Sequence, residues 1–329
     1  ARDGTADMSN MQIPNLPAAV SMSGSELLEI VQDGVSTRAT ARQIANTGQA
    51  TTNAFGPGDV LTYDAQAGDG LTNATTAIAA ADAAVTFSPV VFRYGTFLIN
   101  ADITIANDVL FDGGQLSIAS GKTVTFSGNV TSSSVGQIFT GSGVVVLAEQ
   151  TDPVRLEYWG GFADYNTGLT NNSTAFNLAH TALTKGGTIE LGNGLRYFDP
   201  PSTGHTISGR VNIVGLGNGL NSAEGGSTIV VSSSFGNGSL NNILFKVTMG
   251  SVTLENFLIR GPSTTSSAML YTAIQLTATP LVSSSGKMRM SNVEINGCGV
   301  GVHYQTVATL EENNVSVYNA AICHKRYGG

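Results

Sequence analysis

Apolar and polar positions alternate in short runs through most of this 329-residue chain. The runs lie closest together between Thr188 and Tyr318, at 188–191, 211–214, 227–231, 243–247, 251–254, 256–259, 273–276, 287–290, 292–295, 301–304 and 314–317. Each is about a strand long and has a period-two component, the pattern of a half-buried strand. Gly, Asn and Ser punctuate the series. No run can bury its apolar side alone, whereas a stack of such units buries a continuous core, so the pattern predicts a solenoid.

Similar runs occur upstream at 90–94, 95–99, 102–105, 109–111, 115–118, 123–126 and 136–147. A helix is predicted ahead of each series. The first is Ala-rich, is capped by Asn73 or Thr72, and ends near Val85. The second covers 170–183, places Phe176, Ala179, Ala182 and Leu183 on one face, and stops at Gly186-Gly187. The order strand, polar loop, capped helix, glycine, strand is therefore used twice.

The first 53 residues differ. Prolines 14 and 17 favour an extended path. Asp33-Gly34, set between apolar-rich runs, predicts a tight hairpin across 25–40, and 41–45 reads as a short helix. A unit this small is not stable alone, so a partner surface or sister chains are expected to hold it. A polar linker follows at 51–58. The division expected is 1–53, 54–155 and 156–329.

Composition agrees with a β-rich chain: charged residues make up 12% and glycines number 40. Net charge is −8 and no Lys/Arg-rich run occurs, so nucleic acid is not an expected partner. No apolar stretch approaches the roughly 20 residues of a membrane span, and no signal-peptide pattern is visible. Cys298 and Cys323 make no disulfide framework; they are expected to be buried thiols about one solenoid turn apart.

Chemistry is harder to find. Cleavage of a polysaccharide usually needs two carboxyl groups several ångströms apart. The acids from Thr188 onward are Glu190, Asp199, Glu224, Glu255, Glu294, Glu311 and Glu312. Glu255 and Glu294 both sit in strand-like runs and are weak catalytic candidates if they line up across rungs; solvated surface positions are the competing reading. Asp69 reads as a turn residue. His180, His205, His303 and His324 have no metal-ligand spacing, and no cofactor is expected. The glycine-rich stretch 215–220 reads as a solenoid turn, not a phosphate loop. Tyr158, Trp159, Phe162, Tyr165, Tyr197 and Phe198 either form a sugar-stacking surface or pack under the second helix.

Two stretches carry a family resemblance. Residues 13–45, IPNLPAAVSMSGSELLEIVQDGVSTRATARQIA, resemble a short module at the N-terminus of tailed-bacteriophage tail fibres and tailspikes. From Val60 onward the chain resembles the pectate-lyase-like right-handed parallel β-helix of phage tailspikes. The matching residues are 67–70 and 75–78 in the first copy, then 159–161, 171–176 and 186–194 in the second. The second copy lacks the Gly-Asp-Gly of the first, and Asn171-Asn172 stand where the family has an acidic pair.

The resemblance implies an all-β protein. It would hold an N-terminal virion-anchoring hairpin-helix module, a small β-solenoid domain, and the start of a right-handed parallel β-helix. Virion attachment would fall to Ile13, Pro14, Leu16, Pro17, Leu27, Ile30 and Val31. A homotrimer is implied, docked on a phage tail or adaptor protein within the virion. A distal region, expected beyond Gly329 because the stack runs to the last residues without a cap, would bind a bacterial surface polysaccharide. Two alternatives stand beside this adhesion reading: a tailspike depolymerase acting as glycoside hydrolase or lyase, and a secreted bacterial adhesin.

Overall fold

The computed structural model describes residues 27–32, 35–40, 55–165, 170–201, 203–217, 226–236, 242–248, 251–262, 271–277, 287–305 and 309–327. The chain divides into two units, Ala1–Ala54 and Phe55–Gly329. In the first, strands β1 (Leu27–Gln32) and β2 (Val35–Thr40) pair antiparallel from Leu27↔Thr40 to Gln32↔Val35. Only Asp33-Gly34 separates them, as the turn signal predicts. The helix expected at 41–45 lies outside the described residues.

The second unit is predominantly β, has few helices, and is built from parallel sheets. It opens with β3 (Asp69–Asn73) and helix α1 (Thr75–Ala84). Then come β4 (Val90–Phe92), β5 (Gly95–Ile99), β6 (Ile103–Ile105), β7 (Val109–Phe111), β8 (Gly114–Ile118) and β9 (Thr123–Phe126). This block closes with β10 (Val130–Ser132), β11 (Phe139–Gly141) and β12 (Val144–Leu147). From β4 on, the chain visits three sheets in rotation, β4-β7-β10, β3-β5-β8-β11 and β6-β9-β12. Like stacks on like: Val109 lies between Val90 and Val130, and Gly95 sits on Gly114. Strand β10 escapes the sequence pattern because Val130-Thr131-Ser132 holds a single apolar residue, yet that valine is buried.

Polar residues between strands close one turn onto the next. The Asp102 carboxylate accepts from Thr123 N (2.8 Å) and that of Asp108 from Asn129 N (2.8 Å). The Asn129 side chain in turn accepts from Thr151 N (2.8 Å). At Gly141, φ is +86°, and an added Cβ would stand 2.2 Å from the Ile118 carbonyl oxygen; only glycine fits so close a backbone approach. The interior is a column of rings. Phe92 meets Phe97 edge-on at 5.1 Å and stacks on Phe111 at 4.9 Å; Phe139 continues the column to Trp159 at 5.2 Å.

The second block begins with β13 (Val154–Arg155), a 3-10 turn (Leu156–Trp159) and helix α2 (Asn172–Ala182). It continues through β14 (Gly187–Glu190), β15 (Gly194–Phe198), β16 (His205–Ile207), β17 (Val211–Val214), β18 (Ser227–Val231) and β19 (Asn242–Val247). Its last strands are β20 (Ser251–Arg260), β21 (Tyr271–Leu276), β22 (Lys287–Gln305) and β23 (Thr309–Tyr327). Strand β20 pairs with both β17 and β18, and β22 with β20, β21 and β23. All these ladders are parallel, and the buried apolar cluster runs unbroken from Val60 to Val302.

The long strands arise because asparagine turns the chain without ending the ladder. Asn256, Asn292, Asn314 and Asn319 have φ of 60°, 51°, 53° and 50°, a region Asn tolerates better than other residues with a Cβ. Their side chains link rung to rung. Asn292 Nδ2 donates to Asn256 Oδ1 (3.0 Å), Asn314 Nδ2 to Asn292 Oδ1 (2.9 Å), and Asn319 Nδ2 to Asn296 Oδ1 (2.9 Å). The runs expected separately at 251–254 and 256–259 are therefore one strand.

The repeated order of elements has a repeated physical basis. Asn73 Oδ1 accepts from Thr75 N (3.3 Å) at the start of α1 and from Asn100 N (3.2 Å) after β5. Asn171 Oδ1 accepts from Ser173 N (3.0 Å) at the start of α2 and from Asp199 N (3.1 Å) after β15. One amide in each copy thus ties the start of the helix to the strand that follows it; Asn171 is itself the N-cap of α2, whereas Asn73 stands one residue before the N-cap of α1, Ala74. Thr72 bonds Asp69 instead, whose carboxylate holds the preceding turn as the sequence suggests. Ala77, Ile78 and Ala81 of α1 are buried, as are Phe176, Ala179, Ala182 and Leu183 at α2.

Replacing Asn292 tests the asparagine ladder. Asn292→Ala loses two side-chain bonds and puts alanine in a left-handed region that it tolerates less well than Asn, a combined cost of about 2–3 kcal/mol. Asn292→Gly loses the bonds alone and is expected to be the milder change in urea unfolding. Equal midpoints for the wild type and N292A would show that the ladder contributes nothing.

Candidate functional site

Helix α2 and the strands beneath it form the most polar part of the interior. Arg196, in β15, lies in the inward phase with Phe198, and its side chain is 1% exposed. Its Nε donates to the Leu191 carbonyl and its Nη2 to Glu157 Oε1, while Nη1 reaches the Gly161 carbonyl (3.1 Å) and Asn172 Oδ1 (3.5 Å). One guanidinium thereby joins the 3-10 turn, the loop after it, the first residue of α2 and the end of β14. Glu157 Oε2 is buried without a partner among the described residues. Gly192 leaves room for the head group: a Cβ there would lie 2.8 Å from Arg196 Nη2. A buried pair of this kind fixes geometry more than it adds stability. Sequence reasoning passed over it, although an Arg in the inward phase of an alternating run is itself a signal that a buried acid must answer it.

His205 is fully buried among Phe176 (4.8 Å between ring centres), Phe198 and Phe245. Its Nδ1 is 2.7 Å from Asn177 Oδ1, and its Nε2 has no partner among the described residues. Burial, helped by the nearby His180, pushes its pKa down to about 4. His180 on α2 touches the backbone of Ser208 (3.2 Å to N), and burial lowers its pKa also. His303, 3.0 Å from Gln275 Nε2, is lowered by burial and by Lys325. Among the described residues, no group of three or more His, Cys, Asp or Glu side chains is placed to hold a metal ion.

The carboxylates do not converge. Glu255 precedes the bend at Asn256 and faces Ser291; Glu294 follows the bend at Asn292 and lies between Leu258 and Ser316. The two are therefore offset along the ladder, not side by side as their runs suggested. Burial raises the Glu294 pKa. Glu311 pairs with Lys287 (2.7 Å), Glu312 with His324 (2.9 Å) and Glu190 with Arg155 (3.6 Å). Asp199 accepts from the Ser232 and Ser234 hydroxyls. Glu224 lies outside the described residues. In the glycine-rich stretch, Gly215 N and Gly217 N donate to the carbonyls of Glu255 and Asn256 on the next rung, which is turn behaviour.

Cys298 is buried, which pushes its thiol pKa up to about 12, and is level with Ala320. Cys323 is exposed, correcting the expectation of two buried thiols; it sits on the final strand, where no further described strand covers it. Of the aromatic set, Tyr158, Trp159 and Phe198 are core residues. Phe162 is partly exposed, and Tyr165 stacks on Tyr197 (6.1 Å) beneath the Arg260 guanidinium (5.8 Å). Among the attachment residues, Leu27, Ile30 and Val31 lie on β1 opposite Thr40, Thr37 and Ser36, while Ile13, Pro14, Leu16 and Pro17 lie outside the described residues.

Two concavities flank α2. One, of about 530 Å³, has Phe139 and Trp159 at its floor, Gln137 and Asn177 as amides, and Leu178 and Val144 at its rim. The other, of about 560 Å³, lies at the C-terminal end of the helix between His180, Lys185 and Arg210, with Thr206 and Ser208. Thr181 borders both. The arrangement suits reversible binding of a polar, ring-bearing ligand. No helix among the described residues is long and apolar enough to cross a membrane. No family model matches the chain, and no curated protein or solved structure matches it significantly.

Two stability predictions follow from the buried groups. Arg196→Met strands the Glu157 carboxylate and is expected to cost about 3–5 kcal/mol; adding Glu157→Leu should recover much of that loss in thermal unfolding. No recovery would mean that Arg196 acts through its other contacts.

His205 should make the fold acid-sensitive. Below its ordinary pKa of 6.5 the unfolded chain takes up a proton that the folded chain refuses until about pH 4. Stability therefore falls as pH drops through that window, by on the order of 3 kcal/mol. His205→Phe is expected to flatten this decline in urea titrations, leaving a smaller slope from His180 and His303. An unchanged slope would show that His205 is not its source.

Proposed function

We propose that this chain is a subunit of a bacteriophage tail fibre or tailspike. In this reading, residues 1–53 attach it to the tail through a hairpin-helix module, and the stacked sheets are the beginning of a right-handed parallel β-helix. The assembly is a homotrimer in the virion that presents a binding region for a bacterial surface glycan. The observation that carries the proposal is the pairing of two features in one chain. A hairpin with a two-residue Asp-Gly connection lies inside the attachment-like stretch 13–45, and a column of parallel rungs introduced twice by the same capped helix follows it. The hairpin is too small to stand alone, which suits a segment held by other chains. Parallel rungs rise about 4.8 Å each, so a stack makes a stiff spacer between an attachment point and a distal binding region.

Binding by several copies supplies avidity without bond cleavage. The offset between Glu255 and Glu294 favours adhesion over hydrolysis in this segment.

The proposal predicts a particle of three times 33.9 kDa in sedimentation. Removing residues 1–53 is expected to abolish incorporation into tails while the remaining chain still binds host surface polysaccharide. Substituting Glu255→Gln and Glu294→Gln should change neither. A monomer that binds no host glycan would overturn the reading, and glycan shortening that is lost in those variants would replace adhesion with depolymerisation.

A further inference from the structure

We infer that the concavity at the C-terminal end of α2 binds the carboxylate of an acidic saccharide, whose neighbouring ring lies across Thr181 toward the Trp159–Phe139 cavity. This rests on the proposed glycan-binding role and names the ligand class and the site. The charge pattern is the first argument. The chain carries a net charge of −8, yet Lys185 and Arg210 line this concavity, beside a His180 that burial keeps neutral, and among the described residues no carboxylate lines it. Such a basin concentrates anions against the sign of the whole molecule.

The cations are available. Lys185 pairs with Glu149 at 2.9 Å, but both side chains are about two-thirds exposed, so the pair is weak and exchangeable. Arg210 is exposed and forms no ion pair among the described residues. Its backbone is nonetheless held: the Arg210 carbonyl accepts from Gly187 N (3.0 Å), and Gly186 packs against it where a Cβ would meet the Arg210 Cβ at 2.9 Å. A fixed base beneath a free guanidinium suits a planar carboxylate, which takes two parallel N–H donors. The carbonyl end of a helix disfavours anions, but part of that end is occupied here: the carbonyls of Ala179, Ala182 and Leu183 accept from Leu183, Thr184 and Gly186 N–H.

The remaining lining is sugar chemistry. Thr181, Thr184, Thr206 and Ser208 offer hydroxyls. Beyond Thr181 the second cavity adds an aromatic floor for a ring face and the Gln137 and Asn177 amides for its hydroxyls. A carboxylated glycan is the ligand class that uses both concavities, since a simple anion fills only the first.

The test is calorimetric titration of the full chain with short oligoglucuronates and oligogalacturonates, beside malto-oligosaccharides and inorganic phosphate. The acidic sugars are expected to bind, more weakly as salt rises, and the neutral sugars not to. Lys185→Gln with Arg210→Gln should weaken binding at least roughly tenfold without moving the melting temperature, since both side chains are exposed. Unchanged affinity in this double variant overturns the inference, as does binding of phosphate but of neither uronate series. Host surface polysaccharide is titrated separately. If it binds the wild type and the double variant equally, the site assignment fails while the adhesion reading stands; if it does not bind at all, the adhesion reading itself fails.

Discussion

No rung of the second unit is stable without its neighbours. A three-residue strand such as β7 has too few hydrogen bonds and too little apolar surface to order itself; its backbone is paired by β4 and β10 on either side, and its buried valine and phenylalanine are covered by neighbouring strands. In-register parallel stacking is therefore the constraint from which the rest follows. It requires that each turn return to the same place, so every corner must bend the chain and still satisfy its polar groups. Asp102, Asp108 and Asn129 do so by accepting amides from the turn that follows. Later in the chain the four left-handed asparagines bend strands that keep pairing through the bend.

The same constraint explains where polarity enters the core. Helix α2 covers rungs that include β15 and β16, and its first turn must be joined to a strand that runs beneath it. Asn171 does this at the surface and Arg196 does it inside. Burying a guanidinium is costly, but here each of its nitrogens has a partner, and the four segments it joins come from separate parts of the chain. His205 is the opposite case. One ring nitrogen meets Asn177 and the other has no hydrogen-bond partner among the described residues, so the residue is tolerated only while neutral.

Most of the architecture was legible in the sequence because burial alternates with period two and the helices carry their own caps. The strands at 95–99 and 123–126 match their runs, and β1 and β2 pair antiparallel on either side of Asp33-Gly34. What escaped were features that depend on register. Nothing in the runs 251–254 and 256–259 reveals that they are one strand, because continuity depends on a backbone angle at Asn256 that only the ladder fixes. The offset of Glu255 from Glu294 has the same origin: the runs show that both residues are in strands, but their relative height is set by loops of unequal length between rungs. The concavities beside α2 were invisible for a related reason, since His180, Lys185 and Arg210 meet only after the chain has turned back past the helix.

These points bear on where recognition can arise in such a molecule. The regular faces of a parallel stack repeat the same small polar residues, and repetition gives a ligand no unique purchase. The repeat is broken where a helix crosses the rungs. There the outer face of α2 meets the last turn of the first block on one side and a corner of the second block on the other, so side chains of different chemistry converge: indole and phenyl against Asn177 and Leu178, ammonium and guanidinium against Ser208. Helix α1 stands in the corresponding place in the first block, its start tied to the following strand by Asn73 as that of α2 is by Asn171. Its last turn is Ala-Asp-Ala-Ala, and Asp82 is spent on the amides of Ala106 and Asn107. The concavity past α1, between Thr86 and Asp108, is the smaller, at about 250 Å³ against about 560 Å³ beside α2, and it holds an Asp where the other holds Lys185 and Arg210.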